Sequence, residues 1–570
     1  MSDAITRVIR GGTIVDGSGN APFVTDIAMA NGKITAIGRD LPPGDTEMDA
    51  SGKLVTPGFI DVHTHYDAQV TWSHAMTPTS WHGVTTAMIG NCGVGFAPCL
   101  PSQRDMLVKL MEGVEDIPEV VLTAGIPWNW TTFPEYLDAL DARHYDIDVV
   151  TQVPHAALRV YVMGERGADR EPATSSDRAE MARLAGEGIR AGALGFSTSR
   201  TLNHKTIDGE PIATLGAAEA ELTEIALALR EAGAGWMQVV SDFDDPEQEF
   251  ALLQRLAEKS GRPMTITLLQ YDRRPDGWRR LLDSIGASNA AGTRITGQIR
   301  NRPTGVLLGW EISQNPFMAR PAYQEIAHLP FEQRLAVLRQ PEFRARLLAE
   351  APTDRALAQR TARWDRVFLL GDPPEYEPSP ETSVAARAVR EGRDPDAVAY
   401  DLLLGDDGKA ILYRPMTNYT EGNLDAVRNM IADPNSLIGL GDGGAHVGIM
   451  CDASATSYML THWTRDRARG GLFSVAEAVK MLTHDCAAAI GLHDRGLLQL
   501  GYKADINVID YDRLHIAAPE VIYDLPGGGK RLIQRTEGYV ATLVSGVPVY
   551  LDGVATGALP GRLVRGEQRV

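Results

Sequence analysis

His63 and His65 stand two residues apart in Thr56-Pro57-Gly58-Phe59-Ile60-Asp61-Val62-His63-Thr64-His65. Side chains at i and i+2 of an extended segment share a face, so the two imidazoles point together, a geometry that suits a single metal ion. Cys92, in Gly90-Asn91-Cys92-Gly93 after the apolar run 84–89, offers a thiolate, a strong soft ligand for zinc, between glycines that let the backbone approach closely. Asp442, in Gly439-Leu440-Gly441-Asp442-Gly443-Gly444-Ala445-His446, offers a carboxylate that can bind the metal, or take a proton from water and hand it to a leaving amine. Singly, each residue has a plainer reading: a polar strand edge, a buried inert cysteine, an Asx-turn aspartate among glycines. Together, each at the end of an apolar segment, they read as a metal-dependent hydrolytic centre.

Elements that could position these residues alternate along the middle of the chain. Strands are expected at 58–62, 84–89, 148–153, 193–196, 236–240, 264–268, 295–299 and 437–440. Amphipathic helices are expected at 177–191, 217–232, 246–259 and 277–285, where apolar residues recur three and four apart. Eight strands alternating with helices predict an α/β fold, a (β/α)8 TIM-type barrel, with the candidate ligands at C-terminal strand ends where barrel active sites gather. The seventh-to-eighth connection is too long for one crossover. Its residues 315–395 hold a charged helical segment (323–350) and a Pro-rich stretch, expected as an insertion over the barrel mouth, a lid or an oligomer contact. The two ends read as strands, with an Asn31-Gly32 hairpin signal near the start. Residues 1–56 plus 497–570 are expected to form one small β-sandwich beside a barrel of residues 57–496.

Polar residues following other strands are candidates for holding substrate: His155 and Arg159 after the third, Arg200 and His204 after the fourth, Arg300 and Arg302 after the seventh, and His446 beyond Asp442. His155, Arg200, Arg302 and His446 are the substrate-binding set, an arginine being able to grip a carboxylate with two hydrogen bonds. Composition narrows the partners. Over 570 residues, 55 Lys and Arg against 74 Asp and Glu give a net charge of −19, which repels nucleic acid and anionic membranes. Four cysteines in so long a chain form no disulfide framework. The opening residues lack a basic-then-apolar leader pattern and nowhere do ~18 apolar residues run together, so a cytoplasmic protein with a small-molecule substrate is expected, no nucleic acid or membrane partner, and homo-oligomer formation open. Gly439 to Gly444 matches G-x-G-x-x-G, but no βαβ unit begins there and an aspartate would face the pyrophosphate. Neither a G-x-S-x-G elbow nor an H-E-x-x-H helix occurs.

The block Pro57 to His65, followed by Gly83-Val84-Thr85-Thr86 and Gly90-Asn91-Cys92-Gly93, resembles the amidohydrolase superfamily, and within it the D-aminoacylase (N-acyl-D-amino-acid deacylase) branch. Gly491 to Gly496, Gly501 to Asp505 and Leu559-Pro560-Gly561-Arg562 are similar to that branch's return to the small sandwich and its C-terminal ending. The resemblance implies metal ligands at His63, His65, Cys92 and Asp442, with Asp442 as the catalytic acid and base. It also implies a histidine at the end of the fifth strand and another at the end of the sixth. The sequence has neither: those stretches read Trp236-Met237-Gln238-Val239-Val240-Ser241-Asp242 and Met264 to Gln270, and Gln238, Ser241 and Gln270 are poor substitutes for imidazole. One divalent metal per chain, zinc by donor chemistry, is therefore expected at His63, His65, Cys92 and Asp442, or no bound metal at all.

The leading expectation is hydrolysis of the amide C–N bond of an N-acyl (D-)amino acid or related small amide. A second keeps the fold and changes the chemistry, to lactone or ester hydrolysis or a lyase step, because of the absent histidines. A third is a non-catalytic scaffold, against which four converging ligand-type side chains argue.

Overall fold

A computed structural model describes residues 6–570; residues 1–5, the start of the expected sandwich segment and of the leader reading, lie outside it. Eight parallel strands run in sequence order: Phe59–Asp61, Val84–Ile89, Asp148–Pro154, Gly195–Arg200, Trp236–Ser241, Met264–Leu268, Ile295–Ile299 and Ser436–Ile438. Every adjacent pair is parallel. The ring closes between first and eighth strands through a parallel bridge of Thr64 with Gly443, where His65 N–H donates to Gly443 O at 2.7 Å and Asp442 N–H to His63 O at 2.9 Å. The fold is a closed (β/α)8 barrel. Its strands read as apolar runs because both faces are covered; the second, third and sixth are buried throughout.

Helices Ser175–Ala191, Glu219–Ala232, Pro246–Ser260 and Gly277–Ala290 pack outside the strands. Thr174 accepts from Asp177 N–H and Asp245 from Gln248 N–H, starting two of them by satisfying N–H groups that the helix leaves unpaired. The second barrel strand is followed by a three-helix excursion, Arg104–Glu115, Glu119–Gly125 and Phe133–Asp141, which becomes important below.

His515–Ile516 with Thr536–Glu537 and Glu520–Leu525 with Gly529–Ile533 form two separate two-stranded pairs, while nine strands from the two chain ends are hydrogen-bonded into one continuous sheet. Its centre joins them: Leu54–Pro57 pairs antiparallel with Ile506–Ile509, which pairs in turn with Tyr539–Val544. Ile9, Ile27, Val55, Ile506 and Leu543 belong to its core.

The excursion before the eighth strand is larger than residues 315–395. It carries its own three-stranded sheet, Gly305–Leu308, Leu412–Pro415 and Phe368–Leu369, and its own core around Trp310, Phe317, Tyr323 and Tyr400. The charged segment at 323–350 is broken into helices Pro321–Ile326, Phe331–Leu338 and Pro341–Ala349, because Pro330 and Pro341 cannot continue a helix from the preceding turn. The excursion's root faces the barrel mouth with Thr304, Val306, Met416 and Thr417. Among the described residues no helix is long and apolar enough to cross a membrane.

Candidate metal centre and active site

His63 and His65 flank Thr64, the residue whose bridge to Gly443 closes the barrel, and both are buried. The extended backbone turns both rings the same way, 5.3 Å apart between centroids. Cys92 is brought to them by a tight turn after the second strand, in which Cys92 itself has φ 56°, a conformation non-glycine residues seldom adopt. Three neighbouring strands hold the turn. Gln238 Oε1 accepts from Cys92 N–H at 3.0 Å, Ser197 Oγ accepts from Gly93 N–H at 2.9 Å, and Gln152 Nε2 donates to Asn91 Oδ1 at 2.8 Å.

His63 Nε2 lies 3.2 Å from Cys92 Sγ, and donor atoms of His63, His65 and Cys92 all fall within 4.8 Å of one another. Asp442 faces them, with Oδ1 3.5 Å from His63 Nε2 and 3.9 Å from His65 Nε2. That oxygen is buried and has no hydrogen-bond partner, a costly arrangement without a cation or donor in front of it. Two imidazoles, a thiol and an orphaned carboxylate oxygen are a donor set that fits a divalent metal of the zinc type.

Protonation follows burial. Burial lowers both histidines, His65 further because His63 is beside it, which leaves them neutral, the form that ligates metal. Burial and then the Glu115 carboxyl push the Cys92 thiol well up; a bound cation inverts that preference and takes the thiolate. Burial, the largest influence, raises Asp442, but the Arg300 guanidinium together with His63, His65 and His446 outweighs it and holds the carboxyl below its usual range. Arg300 bonds Asp442 Oδ2 with one nitrogen and Asp452 with another.

Two further residues complete the ring around the imidazoles. Gln298, on the seventh strand, accepts from His63 Nδ1 at 2.7 Å, which leaves Nε2 for the cluster. Glu115, at the end of helix Arg104–Glu115, places Oε1 3.2 Å from His65 Nδ1 and Oε2 3.8 Å from His446 Nε2. Neither stands out in the sequence. Glu115 looks like an ordinary acidic helix end, and only the three-helix excursion carries it to the mouth.

The donors open into a cavity of about 650 Å³. Its walls are largely apolar, with Val240, Leu269, Val306, Met416 and Met450; Arg300 and Arg273 are its guanidinium groups, and His204 and His446 line it as well. The fifth strand presents Val240 to it and the sixth Thr267, with Leu269 one residue beyond the sixth strand's end. Gln238 is held under Cys92, Ser241 donates to Glu249 at 3.0 Å and Gln270 donates to Glu421 at 2.7 Å, so none of the three adds a ligand. His446 lines the cavity; Arg200, His155 and Arg302 do not. Arg200 bonds both oxygens of Glu249. His155 lies between Thr198 and Glu221, at 2.8 and 2.9 Å. Arg302 is fully buried on Asp452 and Ser454, 4.2 Å over the Tyr376 ring. Each is engaged by an internal partner that local sequence spacing does not reveal.

The family model described as the amidohydrolase family matches residues 46–550. This chain belongs to the amidohydrolase family. As a member of that family it is a hydrolase of amide-type carbon–nitrogen bonds. An uncharacterized protein of Mycobacterium tuberculosis is 28% identical over 96% of this amidohydrolase and 92% of its own length. The D-aminoacylase of Alcaligenes xylosoxydans xylosoxydans is 28% identical over 99% of this chain and 98% of its own. Among solved structures, an N-acyl-D-glutamate deacylase from Bordetella bronchiseptica, complexed with zinc and a phosphonate inhibitor, superposes with a TM-score of 0.64 at 24% identity, covering 99% of this chain and all of the other.

Proposed function

We propose that this amidohydrolase cleaves the amide C–N bond of an N-acyl D-amino acid. The observation that carries the proposal is the convergence of His63, His65 and Cys92 with the unpartnered Asp442 Oδ1 at the floor of an apolar cavity. The D-configuration is taken from the relatives' names. The cavity walls favour an apolar side chain or acyl group, since transfer of such groups from water is worth about 25 cal/mol per Å².

His63, His65, Cys92 and Asp442 would hold one divalent metal per chain, which would supply positive charge to acidify a water and polarise the amide carbonyl. The chain's own groups do the rest. Gln298 fixes the His63 ring. The Asp442 carboxylate receives a proton from the attacking water and delivers it to the departing nitrogen, while the water's remaining hydroxyl ends on the acyl carbon. Val240, Leu269 and Val306 exclude bulk water from the reacting bond. His446 and His204, which also line the cavity, contact the bound substrate.

Two measurements test the reading. Elemental analysis of protein purified with added zinc should find about one metal per chain, as the four donors imply. Amine release should be seen from a panel of N-acyl D-amino acids with apolar side chains. Protein that takes up no metal and releases no amine would sink it, and cleavage confined to lactones or esters would replace it with the changed-chemistry reading.

A further inference from the structure

The chain's net charge is −19, so an anionic substrate needs a local cation that singles it out from water at the cavity floor. Arg273 is a poor candidate: it is half exposed at the rim and paired with Asp244 at 2.8 Å. Arg300 is buried, lines the cavity, and sits next to the metal donors. Its bonding pattern is unusual for a structural arginine. One terminal nitrogen is on Asp442, the other on Asp452, and Nε is buried with no partner. Asp452 does not depend on it, because Arg302 Nε donates to Asp452 at 3.1 Å and a second Arg302 nitrogen bonds the same oxygen at 2.5 Å.

We propose that Arg300 is the receptor for the substrate's α-carboxylate, and that substrate binds by exchanging its carboxylate for that of Asp442 on the guanidinium. The proposal rests on the N-acyl amino acid reading above and deepens it. Geometry supports the placement. Asp442 turns Oδ1 to His63 and His65 and Oδ2 to Arg300, so a single carboxyl group separates the metal donors from the guanidinium. In an N-acyl amino acid the scissile carbonyl carbon and the carboxylate carbon are one residue's reach apart, at most about 3.6 Å. A substrate with its carbonyl at the donors therefore has Arg300 within its carboxylate's reach, and not Arg302, which is sealed beneath Asp452. The unpartnered Nε and the nitrogen released by Asp442 form an edge of the guanidinium fork, the geometry that takes a carboxylate through two parallel hydrogen bonds. Exchange leaves no buried charge unpaired: Asp452 keeps Arg302, Arg300 keeps two carboxylates, and Asp442 turns wholly to the metal side.

The test uses full-length, zinc-supplemented protein and two uncleavable probes, N-methylsulfonyl-D-leucine and its uncharged carboxamide, in binding calorimetry. The wild type should hold the carboxylate on the order of 10- to 100-fold more tightly than the carboxamide, the worth of charge-assisted hydrogen bonds. Arg300→Gln should bring that preference to within about threefold, and Arg300→Lys, which keeps charge without the fork, should leave an intermediate one. Arg300→Lys carries the test alone if Arg300→Gln does not fold. No preference in the wild type, or an undiminished preference in the folded variants, overturns the assignment. Hydrolysis of N-acetyl-D-leucine is measured separately: intact carboxylate preference without turnover supports Arg300 and sinks only the proposed reaction.

Discussion

Asp442 carries opposite duties on its two oxygens, one free and facing the imidazoles, the other held by Arg300. Asp442→Asn keeps the shape but removes the proton acceptor. Turnover should fall on the order of 10²- to 10⁴-fold, the usual worth of a general base, while elemental analysis still finds metal on the three remaining donors. Gln298 acts one step further out. Gln298→Ala removes the oxygen that fixes His63 Nδ1, and metal affinity measured by chelator competition should drop about 10- to 100-fold, beside a stability loss of about 1–3 kcal/mol from the unpaired buried imidazole. Loss of stability with unchanged metal affinity would show Gln298 to be a packing residue only.

At the scale of elements, the site is made by tight turns at strand ends, and their glycines are steric requirements. Gly90 has φ 78°, and a Cβ there would lie 2.4 Å from Gln152 O, a backbone atom in the adjoining strand that cannot step aside. Gly90→Ala should destabilise the protein by about 1–3 kcal/mol and, by displacing Cys92, weaken metal binding as well. Gly52 offers the control: its φ is also positive, at 74°, but nothing lies within 4 Å of the added Cβ. Gly52→Ala should cost stability alone. Thermal unfolding and chelator competition on the two variants check both outcomes. The same sterics explain why Gly439 to Gly444 imitates a dinucleotide motif. At Gly443 a Cβ would meet Thr79 Oγ1 at 2.1 Å, so glycine is needed where the barrel closes, with no phosphate involved.

Across the whole molecule, buried ion pairs tie elements together, and they set its response to acid. Glu221 is raised by burial, but the hydrogen bond from His155 and the pairing with Arg159 outweigh that and lower it to about 2. Glu377, raised by burial in the same way, is lowered to about 2 by His462 and Arg467. A carboxyl depressed in the folded state contributes stability that is complete above its unfolded pKa, 4.5 here, and that is lost as pH falls through its folded value. Urea unfolding should therefore show stability declining from about pH 4.5 toward about pH 2, with a shallower decline in Arg467→Gln, which removes one of the pairings that depress Glu377. An equal decline in that variant would place the acid sensitivity elsewhere.

The barrel was legible because its signal is local. Buried parallel strands are apolar runs, and the helices between them repeat every three to four residues. The His-x-His spacing, a cysteine and an aspartate after later strands, and the resemblance to D-aminoacylases are equally local, and so is the absence of histidine from the fifth and sixth strands. What the sequence could not disclose is which charged groups face one another. Arg200, His155 and Arg302 look as available as Arg300 until the fold gives the first three internal partners and leaves Arg300 in the cavity. Glu115 reaches His65 from a helix 50 residues away in sequence, and Val306 and Met416 reach the mouth from the excursion before the eighth strand. The sequence by itself thus determined the barrel, the family and the residue types that can bind metal, since each is written in short-range spacing. Tertiary structure alone decided which ion pairs form and which cation remains for a substrate, because a charge is satisfied by whatever the folded chain brings within a few ångströms of it, regardless of distance along the sequence.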